Sequence, residues 1–207
     1  MGAMTMFTPT SPDGLVALVA ERCLAVNGTA VVAIDAPDGA HPIPFADSIC
    51  ASLREQGRPC DVVSLHDYVR PASLRLEHGR DDELSYRTLW FDYEALNREV
   101  VGSVRTDRRW LPKLWDERED RSARCSRVPA ADRQVVLVTG PMLLGRDLDF
   151  DVTVQLHLGE GALIRRTPAD QRWTVPALLR HAAGISDAPD LLVRYDHPPK
   201  PAVRSGR

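Results

Sequence analysis

Between the apolar run Thr29–Ile34 and the apolar-periodic segment that starts at Phe45 lies a Gly/Pro/Asp-rich stretch, Ala36 to Pro44. A loop of this kind, set between a buried strand and a helix, offers free backbone N–H groups and the positive helix end at one spot, which is how phosphates are cradled. Several residues here oppose that chemistry. Pro42 and Pro44 have no N–H to donate, Ile43 has no oxygen for Mg²⁺, and Asp35 and Asp38 place negative charge where a phosphate would bring its own. His41, at the helix start, reads as an exposed loop residue kept neutral by the dipole. His66 and Asp67 are sequence neighbours that could titrate near neutral pH, against the plainer reading of an ordinary surface or core histidine. Asp92 reads as the N-cap of the segment that follows it. Trp110 and Trp115 stand in an Arg-rich stretch and either pack or stack on a flat base. Arg165 and Arg166 fit a solvated helix face, and the runs RTDRR and DEREDRSAR a surface laced with ion pairs.

The elements that position these residues follow from the spacing of apolar positions. Leu15, Leu18, Val19 and Cys23 predict a leading helix over Gly14–Val26, capped by Asp13. Thr29–Ile34 predicts a strand buried on both faces, and Phe45, Ile49 and Leu53 a helix that opens after Pro44 and closes at Gly57. Asp61–Leu65 completes a strand–loop–helix–strand unit, which sets the class as α/β. Helical pieces follow over Asp82–Leu89 and Tyr93–Val101. Trp110–Asp116 and Ser122–Val128 form a hairpin or helical insertion within 104–130. Gln134–Thr139, Asp151–Leu158 and Leu191–Tyr195 are further strands. The whole of 1–207 reads as a single domain, with 1–12 as a loose arm and 198–207 as a frayed tail.

Composition narrows the class. Of 207 residues 43% are hydrophobic and 27% charged, the balance of a soluble globular chain. A net charge of −3 gives no basic field for nucleic acid, although 24 of the 26 cations are Arg and only Lys113 and Lys200 are Lys. The longest apolar runs fall far short of the roughly 20 residues of a membrane span, and without a leader the expected location is cytoplasmic. Cys23, Cys50, Cys60 and Cys125 match neither a zinc knuckle nor a CxxC pair; they read as reduced thiols, and no metal site is expected.

One resemblance runs from Val31 to Val203. VVAIDAPDGAHPIPFADSICASL resembles the phosphate loop of uridine kinase-like proteins, whose pattern is strand, GxxxxGK[ST], helix. In register, Ala36 takes the first Gly, Asp38, Gly39 and Ala40 the interior, His41 the second Gly, Pro42 the Lys and Ile43 the Ser/Thr. SLHDYVRPASLRLEHGRDD, WFDYEAL, LPKLWDEREDR, VVLVTGPMLLG and DLLVRYDHP resemble later segments of the same family, in the same order. The resemblance implies the P-loop NTPase fold: a five-stranded, mostly parallel sheet with helices on both faces. It implies a nucleoside side built from Asp92, Trp115, Asp116 and Arg121, with Asp92 on the ribose. Arg165 and Arg166 become lid arginines, and His66, with Asp67 one place on, takes the position of the catalytic base. Thr139 stands where the family has an acid at the end of its Walker B strand.

Phosphoryl transfer needs a cation on the phosphates, a hydroxyl and an acid on Mg²⁺, and a base at the attacking hydroxyl. With these replaced, the expectation is a uridine kinase-like protein of impaired catalysis that binds a nucleoside, a nucleotide, another small anionic ligand or a partner protein. Two alternatives stand beside it. One is a working uridine/cytidine kinase using ATP and Mg²⁺, in which Arg165, Arg166 or Lys113 replaces the lost Lys and His66/Asp67 act as base. The other is a structural homodimer module without ligand. Nucleic acid and membrane are not expected partners.

Overall fold

The computed structural model describes residues 6–186 and 188–206. Along the chain run β1 (Thr8–Pro9), α1 (Pro12–Ala25), β2 (Ala30–Asp35), α2 (Pro42–Glu55), β3 (Cys60–Ser64), α3 (Ala72–Arg75), α4 (Glu83–Thr88), α5 (Tyr93–Leu96) and α6 (Ser103–Thr106). Four two-residue strands follow: β4 (Arg109–Trp110), β5 (Trp115–Asp116), β6 (Arg121–Ser122) and β7 (Val128–Pro129). Then come β8 (Val135–Gly140), β9 (Val152–His157), α7 (Glu160–Arg166), α8 (Val175–Gly184), β10 (Leu191–Arg194) and β11 (Ala202–Ser205).

The five runs expected as strands are the five parallel strands of one sheet, in the order β10-β9-β2-β8-β3. β2 and β8 are buried along their whole length, because their side chains alternate between two cores. Val32, Ile34 and Leu137 meet α1 and α2 on one face. Val31, Ala33, Val136 and Val138 meet the aromatic cluster of Tyr86, Trp90, Phe91 and Trp110 on the other. Parallel pairing brings the carboxyl ends of β2, β8 and β3 to one edge, where open α/β sheets bind their ligands.

Several local expectations are corrected. Residues 6–12 are no loose arm: Thr8 and Pro9 pair with Val203 and Ala202, and Ser11, not Asp13, caps α1 by accepting the Gly14 amide at 3.0 Å. The tail is no frayed end, since β11 pairs antiparallel with β10 and the sheet has seven strands. In the insertion, Trp110–Asp116 and Ser122–Val128 pair as the expected hairpin, in two short ribbons, β4–β7 and β5–β6. Cys50 and Cys60 are not free thiols but a disulfide, Cα atoms 5.1 Å apart, because the tight turn at Gly57 folds the end of α2 back beside the start of β3. Among the described residues no helix is long and apolar enough to cross a membrane.

At the opposite edge Arg58, only 1% exposed, closes the base of the fold. Its guanidinium donates to the carbonyls of Leu24, Val26, Gly28 and Arg133 at 2.9–3.2 Å, tying the end of α1 to the turn before β8.

Arg58→Leu should lower stability by about 2–4 kcal/mol, since four carbonyls lose the charged donor that the buried guanidinium supplies; Arg58→Lys should recover only part, because an ammonium lacks the planar five-donor fork. Urea unfolding of both variants checks this. Thiol titration of the denatured, unreduced chain should find two thiols, Cys23 and Cys125; four would remove the disulfide.

Candidate functional site

β2 delivers Asp35 to the sheet edge, where it is buried and accepts the Leu143 amide at 2.9 Å and the Gln155 side-chain amide at 3.0 Å. Burial raises its pKa to about 6 despite those donors. The chain then makes a short 3₁₀ turn over Asp38–Ala40, passes through His41 at φ 53°, and enters α2 at Pro42. Inside this loop the Ala40 amide donates to the Pro37 carbonyl at 2.8 Å and the His41 amide to the Asp38 carbonyl at 2.9 Å. Two of the loop's amides are therefore spent on its own carbonyls.

The loop is also covered. A Cβ on Gly39 would stand 3.2–3.3 Å from the Cβ and backbone of Arg166, so the end of α7 rests directly on the glycine. Arg166 turns its guanidinium away to the Tyr195 carbonyl at 3.2 Å, and Arg165 is exposed on α7. Beyond α7, Trp173 packs on Tyr86 and Trp90 with centroids 5.3 and 5.4 Å apart, pinning this lid to the opposite wall. Between loop and lid lies a cavity of about 130 Å³, lined by Pro37, Asp38, His41, Tyr86 and Thr167 among others, and on the other side of the loop Ala40, His41, Pro44 and Arg166 line a wider cleft of about 710 Å³. Small-molecule pockets run to roughly 300–1,000 Å³.

β3 delivers His66 to the same edge. Ser64 Oγ accepts the His66 amide at 3.2 Å, and the ring bridges two carboxylates: Nε2 lies 2.9 Å from Asp38 Oδ1 and Nδ1 3.2 Å from Glu117 Oε2. Burial disfavours the imidazolium, but hydrogen bonds to both carboxylates and their charges outweigh it and raise the pKa to about 10. Glu117, in the turn between β5 and β6, accepts from Arg75 Nη1 at 3.1 Å and from Trp90 Nε1 at 3.2 Å. Burial opposes its ionisation, but the hydrogen bond and charge of His66, then Arg75 and Trp90, outweigh it, so its pKa falls below the ordinary value. Arg75 in turn lies over the Trp90 ring and reaches Asp120, which accepts the Ala72 amide and Trp115 Nε1.

The remaining expected site residues divide. Asp67 does not pair with His66; it holds Lys113 at 3.3 Å, which also meets Asp116 at 3.3 Å, and burial raises its pKa although Lys113 works against this. Trp115, Asp116 and Arg121 share the β5–β6 ribbon. Asp92 caps α5, its carboxylate accepting the Ala95 amide at 2.9 Å. Thr139 is buried with its hydroxyl unpartnered. Sequence reasoning missed Glu117, Arg75, Trp90 and Asp120. Their only signal was the acidic turn after Trp115–Asp116, which reads equally as solvated surface.

This edge does not fit MgATP. Pro42 and Ile43 offer no ammonium or hydroxyl, the end of β8 offers Thr139 instead of a carboxylate, and the loop spends two amides on its own carbonyls under α7. Among the described residues no cluster of His, Cys, Asp and Glu could hold a metal ion.

No family model and no curated protein matches the chain. Solved structures do. A possible uridine kinase from Bacillus stearothermophilus superposes with TM-score 0.63 at 18% identity, over 83% of this chain and 95% of that one. A protein provisionally named as a fructose transport system kinase, from Silicibacter sp. TM1040, gives 0.58 at 22%, over 81% and 88%. D-glycerate 3-kinase from Cryptococcus neoformans var. grubii gives 0.54 at 15%, over 84% and 81%. At these identities the likeness is one of fold: the chain has the mostly parallel α/β architecture of uridine kinase-like P-loop kinases.

Proposed function

We propose that this protein binds a small molecule at the carboxyl ends of β2, β3 and β8 and does not transfer phosphate to it. The observation that carries the reading is the loop Ala36–Pro44, whose Ala40 and His41 amides are spent on its own carbonyls and whose Gly39 lies under the end of α7. At about 1.5–3 kcal/mol per charge-assisted hydrogen bond, a triphosphate without the Lys and two amides loses roughly three or more orders of magnitude in affinity. A working kinase would need another cation; Lys113 lies between Asp67 and Asp116 and Arg166 is turned to Tyr195, which leaves Arg165, exposed on α7, as the candidate for that role. The covered loop alone also fits a structural homodimer module without ligand. The charged donors and acceptors gathered at the strand ends favour binding of a nucleoside or a small anion, and His66 is the ion that holds them together.

Uridine and cytidine with MgATP should give turnover several orders of magnitude below the roughly 1–10³ s⁻¹ usual for enzymes. A value near 1 s⁻¹ that is abolished by His66→Ala would overturn the reading.

His66 should stay charged at pH 8. Its folded pKa lies above that of the unfolded chain, so its contribution to stability is complete below about pH 6.5 and is lost as the pH climbs toward 10. Between pH 6 and pH 10 the wild type should therefore lose more stability in urea unfolding than His66→Asn does. An imidazole NMR titration with a midpoint near 6.5 would contradict this.

A further inference from the structure

Three donors converge on the carboxylate of Glu117: Arg75 Nη1 and Trp90 Nε1 on one oxygen, His66 Nδ1 on the other. The donors belong to the body of the fold and are held independently of Glu117. Arg75, with 7% of its side chain exposed, lies over Trp90 and donates from Nε to the Arg70 carbonyl at 2.6 Å. His66 is fixed by Asp38 and by an edge contact with Phe91. The acceptor instead comes from the turn of a ribbon whose strands are two residues long, and its side chain is 34% exposed. Preformed donors on a rigid frame, filled by a carboxylate on a slender one, describe an occupied anion site.

Deepening the binding reading above, we infer that Arg75, Trp90 and His66 form a site for the carboxylate of a small-molecule ligand, and that Glu117 fills it as an internal stand-in that the ligand displaces. The charge balance selects a monoanion. With Glu117 withdrawn, Arg75 and His66 face Asp38 and Asp120, two positive against two negative charges. A carboxylate restores the present balance, whereas a phosphate dianion meets both acids with an extra charge. Because displaced Glu117 stays tethered nearby at high effective concentration, a simple carboxylate binds the wild type weakly and the true ligand must bring further contacts.

The test is chemical rescue of the full chain. Glu117→Ala is melted in sodium acetate, sodium phosphate and sodium chloride at matched ionic strength. Acetate should raise its melting temperature saturably by roughly 2–4 °C, leave the wild type unmoved, and have no effect on Glu117→Ala/Arg75→Leu. Acetate no better than chloride, or equally effective on the double variant, overturns the proposal; phosphate more effective than acetate overturns the choice of carboxylate. Should Glu117→Ala not fold, Glu117→Gln carries the test, since it keeps the side chain's length and loses its charge. Acetate should then shift the Trp90 indole N–H resonance, and no shift overturns the proposal. Kinase turnover would remove the binding reading and leave the acetate result untouched, so the two fail separately.

Discussion

A single imidazolium joins three segments that are far apart in sequence: Asp38 in the loop after β2, His66 after β3, and Glu117 in the β5–β6 turn. Burial alone would strip the proton from this ring, and two carboxylates hold it on. The arrangement of the whole strand edge depends on that charge. It draws Asp38 toward β3, where a phosphate-binding loop would keep its acid clear of the ligand, and it docks the ribbon over α3. A kinase loop supplies the cation and lets the ligand bring the anion. Here the chain supplies both, and the attraction that would have held a nucleotide is satisfied internally.

The bias toward arginine has a structural use at both ends of the sheet. Arg58 serves four carbonyls beneath the amino ends of the strands. Arg75 serves Glu117, the Arg70 carbonyl and Asp120 beyond the carboxyl ends, while lying on an indole. Each needs several donors in one plane and tolerance of low hydration, which a guanidinium has and an ammonium lacks.

The parallel core was legible because each strand is a short apolar run bounded by turn residues, and burial on both faces erases the need for alternation. The edges were not. Thr8–Pro9 and Ala202–Ser205 hold prolines nearby and pair over only two and four residues, so nothing local separates them from disordered ends. The Cys50–Cys60 bond depends on where Gly57 turns the chain, which spacing does not report. At the site, what was legible were the losses, Pro42, Ile43 and Thr139, since a missing ammonium or hydroxyl is visible in a letter. The partners of His66 were not, because Glu117 sits in a run of alternating charges that local pattern assigns to solvent. Asp92 kept the plainer of its two readings, the helix cap.

The outer pair of strands carries one more implication, for how the sheet is closed. Among the described residues β1 pairs only with β11, so these two strands close the sheet against each other. Thr8 and Val203 are separated by nearly the whole chain, and contacts of such long sequence separation are slow to close. Until β11 docks, the edge of β10 that it covers lies bare. An unpaired edge is a template for other chains. β11 thus acts as a seal on the sheet, and a chain lacking Ala202–Ser205 would be expected to associate with its neighbours before it lost its core.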